Sequence, residues 1–415
     1  MTRPPRIVDA GGDRGPGRGP ESGRGQGHDS GGSVAGGGRL HVVRLAPAKL
    51  NLTLAVVGRR DDGYHALHSI MVPLTLGDAL TVSIAPRGAT DDSLRISGLP
   101  LSAARDNLVL RAIGATRAAV GESGLGVAVE APPLAARLIK RIPVAAGLGG
   151  GSSDAAAAVD AALAVWNATL TAPQATAVAA SLGSDVPFFL ARGAALVTGR
   201  GEFVEPLPQL QGEPPAVLLV TPRQAISTAA VFTAFAGGSR LPPRAGSAPG
   251  ALAVSENLAA AMRSGLTASG LLELAEDLAG ANDLLPAAQS LAPGLLDFMG
   301  ALGRLLGRPV GQSGSGPTLW VLYRSLAEAR KAARLVRLGM LDGRLPASGK
   351  GEAFVAATSM AVRPGGSPIA NQGPAARRAS HAGRPRTVHN GFGEAVDRPR
   401  GWAAESHAPN GDDSR

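Results

Sequence analysis

Cysteine is absent from this chain, which excludes disulfides, thiolate nucleophiles and cysteine-ligated metals. Aromatic residues make up only 3%, too few for the stacking platforms that accompany a basic stripe in nucleic-acid binding. Lysine is scarce too: of 41 basic residues only Lys49, Lys140, Lys331 and Lys350 are lysines. No run approaches the roughly 20 apolar residues that span a bilayer, and the Gly/Pro-rich start lacks the apolar stretch of a signal peptide. The histidines are scattered, and only His65 and His68 stand close together, with nothing beside them that reads as a metal site. These absences predict a cytoplasmic protein with neither a membrane nor a nucleic-acid partner.

The net charge of +9 is not carried by a basic block but spread along the chain, which suits small, negatively charged ligands. Residues 1–38 and 363–415 are rich in Gly, Pro and Arg and poor in aliphatic side chains. Neither can bury enough apolar surface to offset its ordering entropy, so both are expected to be disordered tails. Between them, strand-like and helix-like segments alternate, which predicts an α/β or α+β fold. A composition break at Gln211-Gly-Glu-Pro-Pro215 suggests two domains, residues 39–212 and 213–362. Predicted strands include His41–Leu45 paired with Asn51–Val57, then Ser69–Thr75 and Ala79–Ala85 joined by a Gly77-Asp78 turn, and Gly126–Ala131. Leu108–Val120, Ala155–Trp166 and Leu271–Leu278 are among the predicted helices.

The most informative stretch runs from Arg141 to Val159, where the glycines Gly147, Gly149, Gly150 and Gly151 open into an alanine-rich helix. Glycines let backbone amides approach a ligand closely, and Ser152, Ser153 and Asp154 are good N-cap residues for the helix that follows. Free amides and the positive end of a helix dipole would then converge on one point, as a phosphate requires. No lysine follows the glycines, so this is not a Walker loop, and no acidic residue is placed as a dinucleotide fingerprint needs. From these residues alone, the stretch is either a phosphate cradle or a well-capped glycine turn.

Three further stretches carry chemistry. Lys49 lies in the apolar run Ala46-Pro-Ala-Lys-Leu-Asn-Leu52, where an unpaired buried charge is costly; it is a snorkelling surface residue or a functional cation. Asp185, in Leu182-Gly-Ser-Asp-Val-Pro-Phe-Phe189, either caps a turn or takes a proton from a substrate hydroxyl, with a nearby lysine holding it ionised. Asp61-Asp-Gly-Tyr-His65 places Tyr64, one of only two tyrosines, beside His65 on a turn.

The loop Pro143 to Ser153 resembles the Pro-x-x-x-Gly-Leu-Gly-(Gly)-Ser-Ser loop of the GHMP small-molecule kinases, without a gap. The ordered set of all four stretches narrows the resemblance. So do Asp106-Asn-Leu-Val109, Ile226-Ser-Thr-Ala-Ala-Val-Phe232, Asn282-Asp-Leu284 and Gly314-Ser-Gly-Pro-Thr318. Together they point to the branch of the superfamily that phosphorylates a cytidine diphosphate-linked methylerythritol on the non-mevalonate route to isoprenoid precursors. The resemblance covers residues 44 to 360 and neither tail.

It implies a two-domain α+β GHMP kinase fold, an N-terminal ribosomal-protein-S5-like domain and a C-terminal GHMP α/β domain, with the active site in the cleft between them. It implies ATP as phosphoryl donor, with Mg²⁺ accompanying it, and Asp185 as base with Lys49 as its charged partner. Pro143, Val144, Ala145, Ala146, Gly147, Leu148, Gly149, Gly150, Gly151, Ser152 and Ser153 match the ATP loop, and Asn107 and Leu108 match positions near the adenine. Tyr64 and His65 match residues that stack on and hydrogen-bond the cytosine, Phe232 the ring on its opposite face, and Asn51 and Thr228 positions near polar substrate groups. The metal ligands are open: Ser153 is a candidate, and no acidic one is evident. Where the family carries an acidic residue after Asn-Asp-Leu, this chain has Leu285. Two other readings stay open, a kinase for another alcohol such as homoserine or mevalonate, and a catalytically silent nucleotide-binding regulator. The Tyr64-His65 turn weighs against the first, and the retention of Lys49 and Asp185 against the second.

Overall fold

One strand organises the first half of the molecule. In a computed structural model, which describes residues 41–99, 107–122, 131–224, 226–238, 250–346 and 353–362, β1 (His41–Asn51) and β2 (Ala55–Arg59) both pair antiparallel with the 20-residue β3 (His65–Ile84). They do not pair with each other as the alternation suggested. β4 (Ser93–Gly98), β5 (Leu134–Lys140), β6 (Ala195–Gly199) and β7 (Phe203–Pro206) complete a seven-stranded sheet in the order β4-β5-β3-β6-β7, with β4 and β5 parallel. The tails and the Gly126–Ala131 strand, apart from Ala131, lie outside the described residues.

The expected turn at Gly77-Asp78 is instead the middle of β3, for two reasons. A Cβ on Gly77 would stand 2.8 Å from the Ala46 carbonyl oxygen, so glycine is there for the close approach of β1, whose register shifts between Pro47 and Lys49. Asp78 is fully buried and accepts from the Arg141 and Ile142 amides at 2.5 and 2.9 Å, a role that turn chemistry does not reveal.

Helices α1 (Leu108–Glu122), α2 (Gly150–Trp166) and α4 (Val186–Ala191) pack on this sheet, and α3 (Ala172–Leu182) packs on those helices. α2 is buried on nearly every side, and its alanines, Ala155 to Ala158 with Ala161 and Ala162, let β1, β3, α1 and α4 all approach its backbone. α3 is fixed by a full capping box between Thr171 and Gln174, with Pro173 in its first turn.

The second half is built on an antiparallel sheet ordered β11-β8-β10-β9: β8 (Ala216–Thr221), β9 (Gly311–Gln312), β10 (Leu319–Tyr323) and β11 (Phe354–Ser359). Between β8 and β9 run α5 (Thr228–Gly237), α6 (Ala251–Arg263), α7 (Ala268–Glu273), α8 (Ala275–Gly280), α9 (Leu285–Leu291) and α10 (Gly294–Leu306), and α11 (Leu326–Leu341) joins β10 to β11. The helix expected over Leu271–Leu278 is two short ones meeting at Leu274. One apolar cluster draws Leu50, Leu52, Ile70 and Leu196 from the first sheet together with Val217, Leu219 and Trp320 from the second. The halves are thus joined by core as well as by chain. No described helix is long and apolar enough to cross a membrane.

Two glycine substitutions separate close approach from simple flexibility. Gly77→Ala should destabilise by about 1–3 kcal/mol through overpacking against β1. Gly114→Ala, in the middle of α1 with open space around the new methyl, should stabilise by about 0.5–1 kcal/mol. Denaturant midpoints of the two variants would be expected to move in opposite directions.

Candidate active site

Lys49 comes from the end of β1, a strand that the core covers, and its side chain is only 5% exposed. The ammonium donates to the Asn51 side-chain oxygen Oδ1 and stands 3.9 Å from an Asp185 oxygen. Burial pushes the Lys49 pKa down, and the Asp185 carboxylate opposes that shift. Asn51 is itself fixed: its amide group donates to Ser69 Oγ at 2.8 Å, and its backbone amide donates to Ser313 Oγ at 3.3 Å. Asp185 precedes α4 in the cap position but makes no capping bond, so its carboxylate is left for the cleft, where about a third of it is exposed.

The glycine loop passes directly over this pair. The Lys49 amide donates to the Leu148 carbonyl at 2.9 Å. Gly147 (φ 78°) and Gly149 (φ 67°) are in the left-handed region that favours glycine. A Cβ on Gly149 would meet Lys49 Cγ and the Phe189 ring at 2.9 Å, and one on Gly147 would collide with the Ser313 carbonyl. α2 begins at Gly150 after the Gly149 cap. Ser152 and Ser153 therefore lie inside its first turn and Asp154 just beyond it, and none of them is its cap. Glycine's freedom to adopt the left-handed conformation starts the helix a turn earlier than the hydroxyl pattern predicts.

Beneath the loop lies a charge cluster that sequence reasoning missed. The buried Lys140 ammonium pairs with Asp78 and, at 2.6 Å, with Asp154 Oδ2. The second oxygen of Asp154 is buried without a partner among the described residues. Burial pushes the Asp154 carboxyl up to about 7, Lys140 counteracting and Asp78 reinforcing the rise.

A cleft of about 1010 Å³ gathers most of the expected site. Lys49, Asn51, Tyr64, His65, Asn107, Leu108, Asp185, Thr228 and Phe232 line it, with Pro143 to Gly147 and Gly149 to Ser152. Two expected loop residues do not: the Leu148 side chain is buried in the core, and the Ser153 hydroxyl is buried on another face of α2. Asn107 also caps α1, its side-chain oxygen accepting from the Val109 amide at 2.9 Å. Thr228 accepts from Ser315 Oγ at 2.9 Å.

At one end of the cleft, the turn between β2 and β3 holds Tyr64, whose amide donates to Asp62 Oδ1 at 3.1 Å while Gly63 sits at φ 83°. The Arg200 guanidinium lies 5.5 Å from the Tyr64 ring centroid, a cation–π contact on a ring that is otherwise exposed. His65 stacks on Phe232 at 5.4 Å and 24°, the separation of rings in direct contact, so no base fits between those two. Arg200 is a neighbour of the site that no local pattern announced, and the Gly314-Ser-Gly-Pro-Thr318 motif contributes Gly314 and Ser315 to the lining. The Asn282-Asp283-Leu284 motif explains how that segment is held, since the Asn282 amide group donates to the Gln312 and Gly314 carbonyls at 3.1 and 2.9 Å.

Comparison with known proteins agrees with this geometry. Residues 107–193 match the model of the GHMP kinases N terminal domain. A 4-diphosphocytidyl-2-C-methyl-D-erythritol kinase from Pelotomaculum thermopropionicum is 38% identical over 302 residues, 71% of this chain and 94% of that protein. Its namesake from Paramagnetospirillum magneticum is 39% identical over 295 residues, 69% and 91% of the two chains. A crystal structure of 4-(cytidine 5'-diphospho)-2C-methyl-D-erythritol kinase superposes with a TM-score of 0.55 at 31% identity, covering 77% of this chain and all of that one. Homoserine kinase from Cytophaga hutchinsonii, with a TM-score of 0.55 at 18% identity over 77% of this chain and 95% of that one, shares the fold.

The Asp154 shift predicts a pH dependence of stability. The folded chain holds this proton more tightly than the unfolded one, so the carboxyl's contribution is greatest below about pH 4, falls as pH rises to about 7 and is flat beyond. Asp154→Asn removes that loss. Its stability relative to the parent should climb between about pH 4 and 7 and then level off, as followed by chemical denaturation at constant ionic strength. A difference independent of pH would contradict the assignment.

Proposed function

The chain belongs to the 4-diphosphocytidyl-2-C-methyl-D-erythritol kinases, within the GHMP kinases, and from that premise we infer that it transfers the γ-phosphate of ATP to the 2-hydroxyl of 4-diphosphocytidyl-2-C-methyl-D-erythritol. The observation that carries the reading is the Lys49–Asp185 pair, 3.9 Å apart in the cleft under the glycine loop. Asp185 accepts the proton of the attacking hydroxyl, and Lys49 stands beside that carboxylate and faces the charge that develops on the transferring phosphoryl group. Positioning and electrostatics dominate phosphoryl transfer, so a fixed cation, a base and a phosphate cradle suffice.

The triphosphate lies against the amides of Gly147 to Ser152, at the positive end of α2, and the adenine lies by Asn107 and Leu108. Mg²⁺ accompanies the triphosphate and neutralises it. The described residues include no cluster of three acidic or histidine side chains able to hold a metal, and no step here runs through one. The free face of Tyr64 takes the cytosine, with Arg200 backing the ring, and the His65–Phe232 stack forms the neighbouring wall. Asn51 and Thr228 face the polar groups of the methylerythritol. The enzyme works in the cytoplasm on this small molecule, without a nucleic-acid or membrane partner.

Steady-state kinetics test this reading. Asp185→Asn should lower kcat by about 10²–10⁴, the usual worth of a general base, and leave the KM for ATP nearly unchanged. Tyr64→Ala should raise the KM for the cytidyl substrate roughly 5–150-fold, the equivalent of about 1–3 kcal/mol of base stacking, with a smaller effect on kcat. Homoserine and mevalonate should not be turned over. Turnover of either in place of the cytidyl substrate would keep the fold and discard the substrate.

A further inference from the structure

A second cavity, of about 650 Å³, lies along a different face of α2 and shares no lining residue with the active-site cleft. Its wall is largely apolar, built from Pro73, Leu74, Ala157, Leu163 and Phe189. Its charges are two guanidinium groups and one carboxylate. Arg44 Nε lies 2.5 Å from one oxygen of Asp160, and Arg192 lies 3.0 Å from the other. The three side chains together carry one net positive charge, and each guanidinium keeps donors beyond those spent on Asp160. At the α2 end of the same cavity, the Ser153 hydroxyl is buried and has no hydrogen-bond partner among the described residues.

We propose that this cavity binds a small amphiphile with a hydrocarbon body and a single phosphate head. The apolar wall accepts the body, and burying it is the main source of affinity. Paired guanidinium forks suit a phosphate, which accepts bidentate bonds in the plane that the forks present. A buried hydroxyl without a partner carries a desolvation cost that a ligand oxygen or an accompanying water removes. A bare hydrocarbon would leave the excess positive charge uncompensated, and a bare phosphate would leave the wall uncovered. The ligand must therefore carry both parts.

Calorimetric titration of the full-length chain with octyl phosphate tests the proposal, with a non-hydrolysable ATP analogue saturating the active site. One saturable site is expected, binding at least about tenfold more tightly than octanol or inorganic phosphate, the margin of one charge-assisted contact. Arg192→Gln should weaken binding by about the same factor. Ala164→Leu, which fills part of the cavity without touching a charge, should weaken it as well. Neither variant should change basal kinase activity. Equal affinity for octanol, competition with the ATP analogue, binding unaltered in both variants, or no binding at all would each overturn the proposal.

Discussion

The arrangement of the active site follows from the burial of one ammonium group. Lys49 is inside the protein, and an ammonium in a low-dielectric interior costs several kcal/mol unless its protons are matched. The match comes from Asn51, two residues along the strand, and Asp185, just before α4, and the absent side chain of Gly314 leaves room for the ammonium. Asn51 is bonded to Ser69 and Ser313, and the Gly314 carbonyl accepts from Asn282. A phosphate adds a further counter-charge, so the folded chain without ligand presents a cation that is already fixed and incompletely neutralised. That is the preorganisation that phosphoryl transfer requires.

A second buried ammonium does a different job. Lys140 sits between Asp78 and Asp154 and is as deeply buried as Lys49, yet it faces two carboxylates where Lys49 faces one at a distance. Asp78 also takes the backbone amides of Arg141 and Ile142. The cluster therefore ties β3, β5 and the N-terminal part of α2 together at the root of the glycine loop. Burial raises the Asp154 carboxyl, with Lys140 opposing and Asp78 reinforcing the rise.

Much of this was legible in the sequence, and the exceptions have physical reasons. The glycine loop, Lys49 and Asp185 were visible because each breaks a local rule: excess glycine before a helix, a lysine in an apolar run, and an aspartate at the edge of one. Asp78 was misread because Gly-Asp is common turn chemistry, and only the close approach of β1 and the partner Lys140, 62 positions away, reveal the true role. Arg200 was invisible for the same reason, since it meets Tyr64 through tertiary contact alone. Hydroxyl side chains of Thr171, Ser227 and Ser325 cap the helices that follow them, whereas α2 starts after Gly149 through that residue's backbone, which leaves no such mark.

The two ends of the cleft are built on different principles. At the phosphate end, glycines, buried ammonium groups and a helix terminus are fixed by backbone bonds and core packing, and little there can change without unfolding. At the other end, Tyr64 stands on an exposed hairpin turn, and Phe232 comes from a helix that follows the first strand of the other sheet. Ring contacts bridge them through His65, which stacks on Phe232 and meets Phe235 edge-on. Substitutions on the hairpin or on α5 disturb few buried groups, whereas the phosphate loop rests against Ser313, Phe189 and Ile142 at once. The fold therefore constrains the chemistry far more tightly than it constrains the alcohol. On the proposed reading, specificity for a cytidyl group resides in an aromatic surface that the scaffold could exchange at small cost in stability.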